Sequence, residues 1–242
     1  MSTLLAVLAL GFFLGMRHAT DPDHVIAVST IVARNRSTVG AALVGAVWGI
    51  GHTLTIVLVG GAIIGFRWVI PPRVGLSMEL AVGVLLIGLG IANVAAVLRT
   101  ARNAGRDSGS HTHGSDGVPL GWLDRRLGGL APYKLIRPLI IGVVHGLAGS
   151  AAVALLVLAT IQSSALSLLY LALFGVGTIA GMMLITMAIS VPFTLTQHRF
   201  RPANQGLRLV SGVVSLAFGL FLAYQIGVVD GLFSGEPRWA PH

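Results

Sequence analysis

The sequence predicts an all-α, polytopic membrane protein of six transmembrane helices, arranged as two inverted three-helix repeats, with the first helix kinked or broken at Pro22. Three observations predict it. The 242-residue chain is 55% hydrophobic and 10% charged, with a mean hydropathy of +0.86, a profile of helical membrane proteins rather than of a globular domain. Its apolar residues fall into six runs, each near or above the roughly 20 residues that a bilayer requires. Short motifs in the first half recur in the second at a nearly constant offset.

The runs cover residues 4–33, 40–66, 76–98, 135–161, 166–193 and 207–229. The first is long for one crossing and holds Pro22 in its middle, where the ring removes an internal hydrogen bond and clashes with the preceding turn. Gly175, Gly177 and Gly181 in the fifth run, with Gly149 and Ser150 in the fourth, read as close helix packing. Met182, Met183 and Met187 read as core filler, and Glu79, near a span end, as a side chain that snorkels to the interface. Residues 100–133 are polar and glycine-rich and contain His111, His113 and Asp116. Low hydrophobicity predicts a mobile cytoplasmic loop there; the His111–His113 pair is either a weak metal-collecting tract or incidental. The chain thus divides into a first three-helix repeat (1–99), the loop (100–133), and a second repeat with a C-terminal tail (134–242).

The formal charge of +8 does not point to nucleic acid, because the basic residues sit between apolar spans, where they orient a membrane protein. The connections after spans one, three and five hold twelve Lys and Arg, whereas the opposite side has three, Arg67, Arg73 and Arg238. The positive-inside rule places the odd connections in the cytoplasm and both termini outside. There is no cysteine, so any metal site has nitrogen and oxygen ligands. Met-Ser-Thr at the start offers no basic n-region and no convincing cleavage site follows, so the first span is expected to be retained.

The halves resemble each other. Gly15-Met-Arg-His18 matches Gly142-Val-Val-His145 at an offset of 127, and Trp48-Gly-Ile-Gly-His52 matches Phe174-Gly-Val-Gly-Thr178 at 126. Gly83 and Gly90 recur as Gly212 and Gly219 at 129. A unit of three crossings repeated once must run the second time in the opposite direction. Such repeats are typical of secondary transporters, whose sites lie near the midplane on discontinuous helices.

Arg17-His-Ala-Thr-Asp-Pro-Asp-His24 places two imidazoles and two carboxylates inside the first apolar run. Ionisable groups at membrane depth cost about 2.5–3.5 kcal/mol on insertion scales and mark functional sites. Neutral imidazole suits nickel, copper, zinc and iron, and a nearby carboxylate balances divalent charge. On a regular helix at roughly 100° per residue His18 and His24 would lie about 240° apart, so they share an ion only if the helix breaks at Pro22. Unwinding would also release backbone carbonyls into the site. Asp21, three residues after His18, is placed to orient that imidazole as an outer partner, and Arg17 to neutralise Asp21 or Asp23. The duller reading of the cluster is an ion-pair network that fixes a kink. For His52 and His145 it is a histidine hydrogen-bonding across helices.

His18-Ala-Thr-Asp-Pro-Asp23-His24 resembles the His-x-x-x-x-Asp-His signature of the nickel/cobalt transporter (NiCoT) family, and Gly51-His52-Thr53-Leu54-Thr55-Ile56 is similar to that family's second, Gly-His-Ser/Thr signature. The resemblance implies metal-ligand roles for His18, Asp23, His24 and His52; the repeat adds His145. Family members commonly have eight spans with the signature in the second and an acidic motif in a later helix. This chain reads as six spans, opens with the signature, and has His145-Gly-Leu-Ala-Gly-Ser150 later, which is closer to the shorter branch of the superfamily, the urease-accessory or nickel-permease-like proteins.

The sequence therefore predicts a permease for a divalent transition metal in a prokaryotic cytoplasmic membrane, with nickel as first substrate and cobalt as second, no permanently bound cofactor and no enzymatic activity. An efflux permease and a non-transporting metal-sensing or accessory membrane protein are the alternatives. An intramembrane metalloprotease would need His-Glu-x-x-His, which is absent. No ATP-binding motif is present, so transport is expected to be secondary. Imidazole titrates at about 6.5 in water, so protons would compete with metal for such a site. Uptake into vesicles at a clamped membrane potential is accordingly expected to change with pH between about 5 and 8, and a flat profile would argue against proton-linked release.

Overall fold

In the computed structural model the described residues are 2–33, 37–66, 70–104, 131–146, 161, 163–199, 201–234 and 236–239. Among them are seven α-helices and no strand: α1 (Ser2–His18), α2 (Pro22–Val32), α3 (Thr38–Phe66), α4 (Pro72–Ala104), α5 (Ala131–Gly146), α6 (Ser164–Arg199) and α7 (Arg201–Tyr224), the last continuing as a π-helical turn over Gln225–Val229. Within α3, α4, α6 and α7 lie stretches long and apolar enough to cross a bilayer, at Thr38–Ala62, Pro72–Thr100, Ser164–Thr196 and Pro202–Val229; α1, α2 and α5 are shorter apolar helices.

The first apolar run is thus two helices rather than one bent one. Pro22 occupies the first turn of α2, where its missing N–H is no loss and its fixed φ suits the helix. Asp21 before it is extended, with φ −60° and ψ 144°, as a residue preceding proline prefers. The chain turns through Thr20 N–H to Arg17 carbonyl (2.8 Å) and Asp21 N–H to His18 carbonyl (3.1 Å). Those two carbonyls, which unwinding was expected to free, are taken up by the turn. The fourth run is helical over Ala131–Gly146, and residues 147–160, including Gly149 and Ser150, lie outside the described residues. So does most of the 100–133 stretch, with His111, His113 and Asp116; α4 and α5 extend into its two ends.

Side-chain polarity is distributed inside out. Phe13, Leu58 and Leu195 are 64%, 64% and 69% exposed, while His24, His52, Thr178 and Ser215 are fully buried. A water-soluble chain shows the reverse, so the solvent this exterior suits is hydrocarbon. Some of the buried polar groups, such as Thr178 and Thr186, bond back to their own helix; others bond across helices, which helps to replace the hydrophobic driving force that lipid cannot supply. Ser215 Oγ donates to the Leu86 carbonyl at 2.8 Å, Asn93 Nδ2 to the Arg208 carbonyl at 3.0 Å, and the Ser29 and Ser211 hydroxyls lie 3.0 Å apart.

Met182 is buried in the core, as expected of filler, but Met183 and Met187 are 39% and 40% exposed. One and five residues on from Met182, they point away from its face at helical spacing. Glu79 does not simply reach for the interface: its Oε1 accepts the Trp239 indole N–H at 2.8 Å.

Several glycines sit where no Cβ would fit, and some of these contacts come in matching pairs. A Cβ at Gly15 of α1 would fall on the Phe174 carbonyl of α6, and one at Gly142 of α5 on the Trp48 carbonyl of α3. A Cβ at Gly177 of α6 would fall on the Phe12 carbonyl, and one at Gly51 of α3 on the Leu139 carbonyl. In α4 and α7, Gly83 faces the Gly219 carbonyl and Gly90 the Gly212 carbonyl. The fifth-run glycines read from sequence as packing residues therefore do pack, with Gly181 against Ala19 and Met16.

These contacts give opposite signs for the same substitution. Gly61 of α3 has nothing within reach of an added Cβ, so Gly61→Ala is expected to be neutral or to stabilise by up to about 1 kcal/mol through helix propensity. Gly15→Ala and Gly142→Ala are expected to destabilise by about 1–3 kcal/mol or more through overpacking. Thermal unfolding in detergent reads the difference.

Candidate metal centre

The break between α1 and α2 assembles the site. α1 ends on His18 and α2 opens with Pro22, Asp23 and His24, so the two motif imidazoles lie at two helix ends instead of on opposite faces of one helix. Their ring centroids are 4.7 Å apart. Asp23 occupies the first turn of α2, where the N-terminal end of the helix dipole favours an anion. His52 enters from the middle of α3, and His145 from the last turn of α5.

His18, His24, His52 and His145 are buried, the last three completely. His18 Nδ1 lies 2.8 Å from Asp21 Oδ2, and His18 Nε2 lies 2.8 Å from His52 Nε2. That 2.8 Å contact is a hydrogen bond between the His18 and His52 rings, and two nitrogens at right angles on a metal with bonds of about 2.0–2.1 Å would be nearly as far apart, about 2.9 Å. Asp23 bridges two further rings, with Oδ1 3.2 Å from His24 Nδ1 and Oδ2 2.9 Å from His145 Nε2. His24 Nε2, His52 Nδ1 and His145 Nδ1 are buried and have no hydrogen-bond partner. Three of the four imidazoles thus give one nitrogen to a carboxylate. In His24 and His145 the other is left without a partner, and in His18 it faces His52, the arrangement by which outer carboxylates orient metal-binding histidines. Groups of donor atoms within 4.8 Å of one another are His18–His24–His52 and Asp23–His24–His145.

All five residues read as ligands therefore meet in one place, drawn from α1, α2, α3 and α5. Asp21, whose side chain is 34% exposed, uses its carboxylate on His18 and makes no side-chain cap for α2. Arg17 lies exposed in the last turn of α1; the ion-pair partners found for Asp21 and Asp23 among the described residues are histidines.

Two aromatic residues that the sequence reading used only to align the halves also wall the site. The buried Trp48 ring packs on His24 at 5.6 Å and edge-on to His145 at 5.4 Å. Phe174 packs on His18 at 5.6 Å. The available signal was spacing, because Trp48 is one helical turn before His52 and on its face.

An apolar helical exterior around a buried imidazole and carboxylate cluster defines a helical membrane protein with a metal-ligand type of centre. The chain is 38% identical over 230 residues to the urease accessory protein UreH of Bacillus sp. (strain TB-90), covering 95% of this chain and 96% of that relative. It belongs to the UreH family, which supports the nickel-permease-like resemblance read from the two histidine motifs. No family model matches the chain, and no solved structure matches it.

Removing Asp23 would strip two buried imidazoles of their acceptor, at about 1–3 kcal/mol for each buried donor left unsatisfied. Asp23→Ala is expected to lower the unfolding temperature in chelator-treated detergent solution clearly more than Asp21→Ala, whose single partner sits beside a half-exposed carboxylate.

Proposed function

We propose that this protein is a secondary permease for divalent transition-metal ions, nickel first and cobalt second, working in a prokaryotic cytoplasmic membrane. The observation that carries the reading is the convergence of His18, Asp23, His24, His52 and His145 from four helices into one cluster inside an apolar bundle. Nitrogen and oxygen donors without thiolate suit nickel, as they suit copper, zinc and iron, and the preference for nickel and then cobalt rests on the family resemblance. A relative named as a urease accessory protein fits a nickel-related role. The ion is the cargo, and nothing else need be bound.

The architecture that goes with this function is six crossings in two inverted three-helix repeats, residues 1–99 and 134–242, with both termini outside. In support, α1 and α2 together stand for one interrupted crossing, the contact of Gly15 with Phe174 has its counterpart in that of Gly142 with Trp48, and the contact of Gly51 with Leu139 has its counterpart in that of Gly177 with Phe12. The interrupted helix supplies its end residues to the centre, as discontinuous helices do in transporters.

Ni2+ uptake by vesicles containing the full chain, with Co2+ as second substrate, tests the function. His18→Ala and His24→Ala are each expected to reduce uptake by at least about tenfold, the lower end of what loss of even an outer partner costs a metal site. Uptake that survives both substitutions would defeat the site assignment, and absence of uptake by the unaltered protein would defeat the permease reading.

A further inference from the structure

The cluster is two donor sets that overlap. His18, His24 and His52 form one, Asp23, His24 and His145 the other, and within each the donor atoms lie no more than 4.8 Å apart. His24 belongs to both. The first set comes wholly from α1, α2 and α3, whereas the second joins α2 to α5 in the other half of the chain. The sets also differ in charge: three imidazoles are neutral ligands, while Asp23 brings an anion to the second. Two divalent cations sharing one imidazole would repel each other strongly in so dry a place, which favours a single ion.

Resting on the permease reading, we infer that one ion occupies the two sets in turn, pivoting on His24, and that the handover from the imidazole set to the Asp23–His145 set passes it from donors of one half of the molecule to donors shared by both. The unpartnered His24 Nε2 is the donor that the first position uses. In the second position the ion takes the place of the ring N–H hydrogen bonds that Asp23 now accepts from His24 Nδ1 and His145 Nε2, and each neutral ring carries its proton on its other nitrogen, His24 Nε2 and His145 Nδ1, both without a partner. Trp48, packed on both His24 and His145, walls the path between the positions.

The test uses the full-length protein in detergent with Ni2+ alone as probe. Equilibrium dialysis gives affinity and stoichiometry, and Ni K-edge absorption counts the coordinated imidazoles. One Ni2+ per chain is expected. His145→Ala is expected to keep a three-imidazole site and His52→Ala a two-imidazole site, each within about tenfold of the unaltered affinity, while His24→Ala and the double variant bind at least about a hundredfold more weakly. Both single variants are expected to lose at least about tenfold in vesicle uptake, because either lacks one end of the handover. His52→Asn and His145→Asn replace the alanine variants if these elute as misfolded protein. A single variant that binds as weakly as His24→Ala, identical imidazole counts in the two single variants, or undiminished uptake by either would overturn the inference and leave the permease reading standing. An unaltered protein that neither binds nor transports Ni2+ or Co2+ would remove that reading, and the inference with it.

Discussion

A carboxylate held in an apolar bundle has to be met by donors, and Asp23 is met from two directions. One oxygen takes the neighbouring His24 ring and the other takes His145 from a helix 122 positions away in sequence. Much of the structure follows from satisfying that one group. The chain must leave its helix before Asp23 so that the side chain sits at an N-terminal helix end, and α5 must come close enough for an imidazole to reach it. Neither is available to a straight first helix or to helices spaced by ordinary side chains.

Close approach is what the glycines provide. Gly15 stands three residues before His18 and Gly142 three before His145, and each presses against a carbonyl of a partner helix. At helical spacing, the residue three positions on lies on the same face one turn later. A glycine that draws two backbones together therefore aims the following imidazole into the space between them. Gly51, next to His52 but not on its face, seats α3 on Leu139 of α5. At His18, His52 and His145 packing and donor residues are in this way one motif, whereas Asp23 and His24 are placed by the break at Pro22.

The membrane class, the break at Pro22 and the polar cluster of His18, Asp23 and His24 were readable from sequence, because an imidazole or a carboxylate among apolar residues has few physical explanations; His52 came only through the family resemblance. His145 was visible only through the repeat, since a lone histidine in an apolar helix has a plain hydrogen-bonding alternative. Trp48 and Phe174 went unread as walls of the site because aromatic residues in a membrane helix are ordinary; only their one-turn spacing from His52 and Thr178 set them apart. Met183 and Met187 were misplaced because a hydrophobic residue suits either lipid or core, so that composition gives no face. Helix ends escaped for a related reason. α4 runs from Pro72 to Ala104, beyond the apolar run at 76–98, because arginine and asparagine continue a helix into water as readily as leucine continues it through lipid.

Matching positions in the two halves are not chemically equal, and the inequality matters for an ion. His18 has Phe174 against it, and its counterpart His145 has Trp48, so each half offers one imidazole walled by an aromatic residue of the other. His52, however, is matched by Thr178, whose hydroxyl donates to the Phe174 carbonyl of its own helix at 2.9 Å, so an imidazole in one half answers to a hydroxyl in the other. The glycine contacts of the two halves therefore match while the polar groups they bring together do not. Any cation held at this cluster would meet different donors on the two sides of His24, imidazoles on one and a carboxylate with an imidazole on the other.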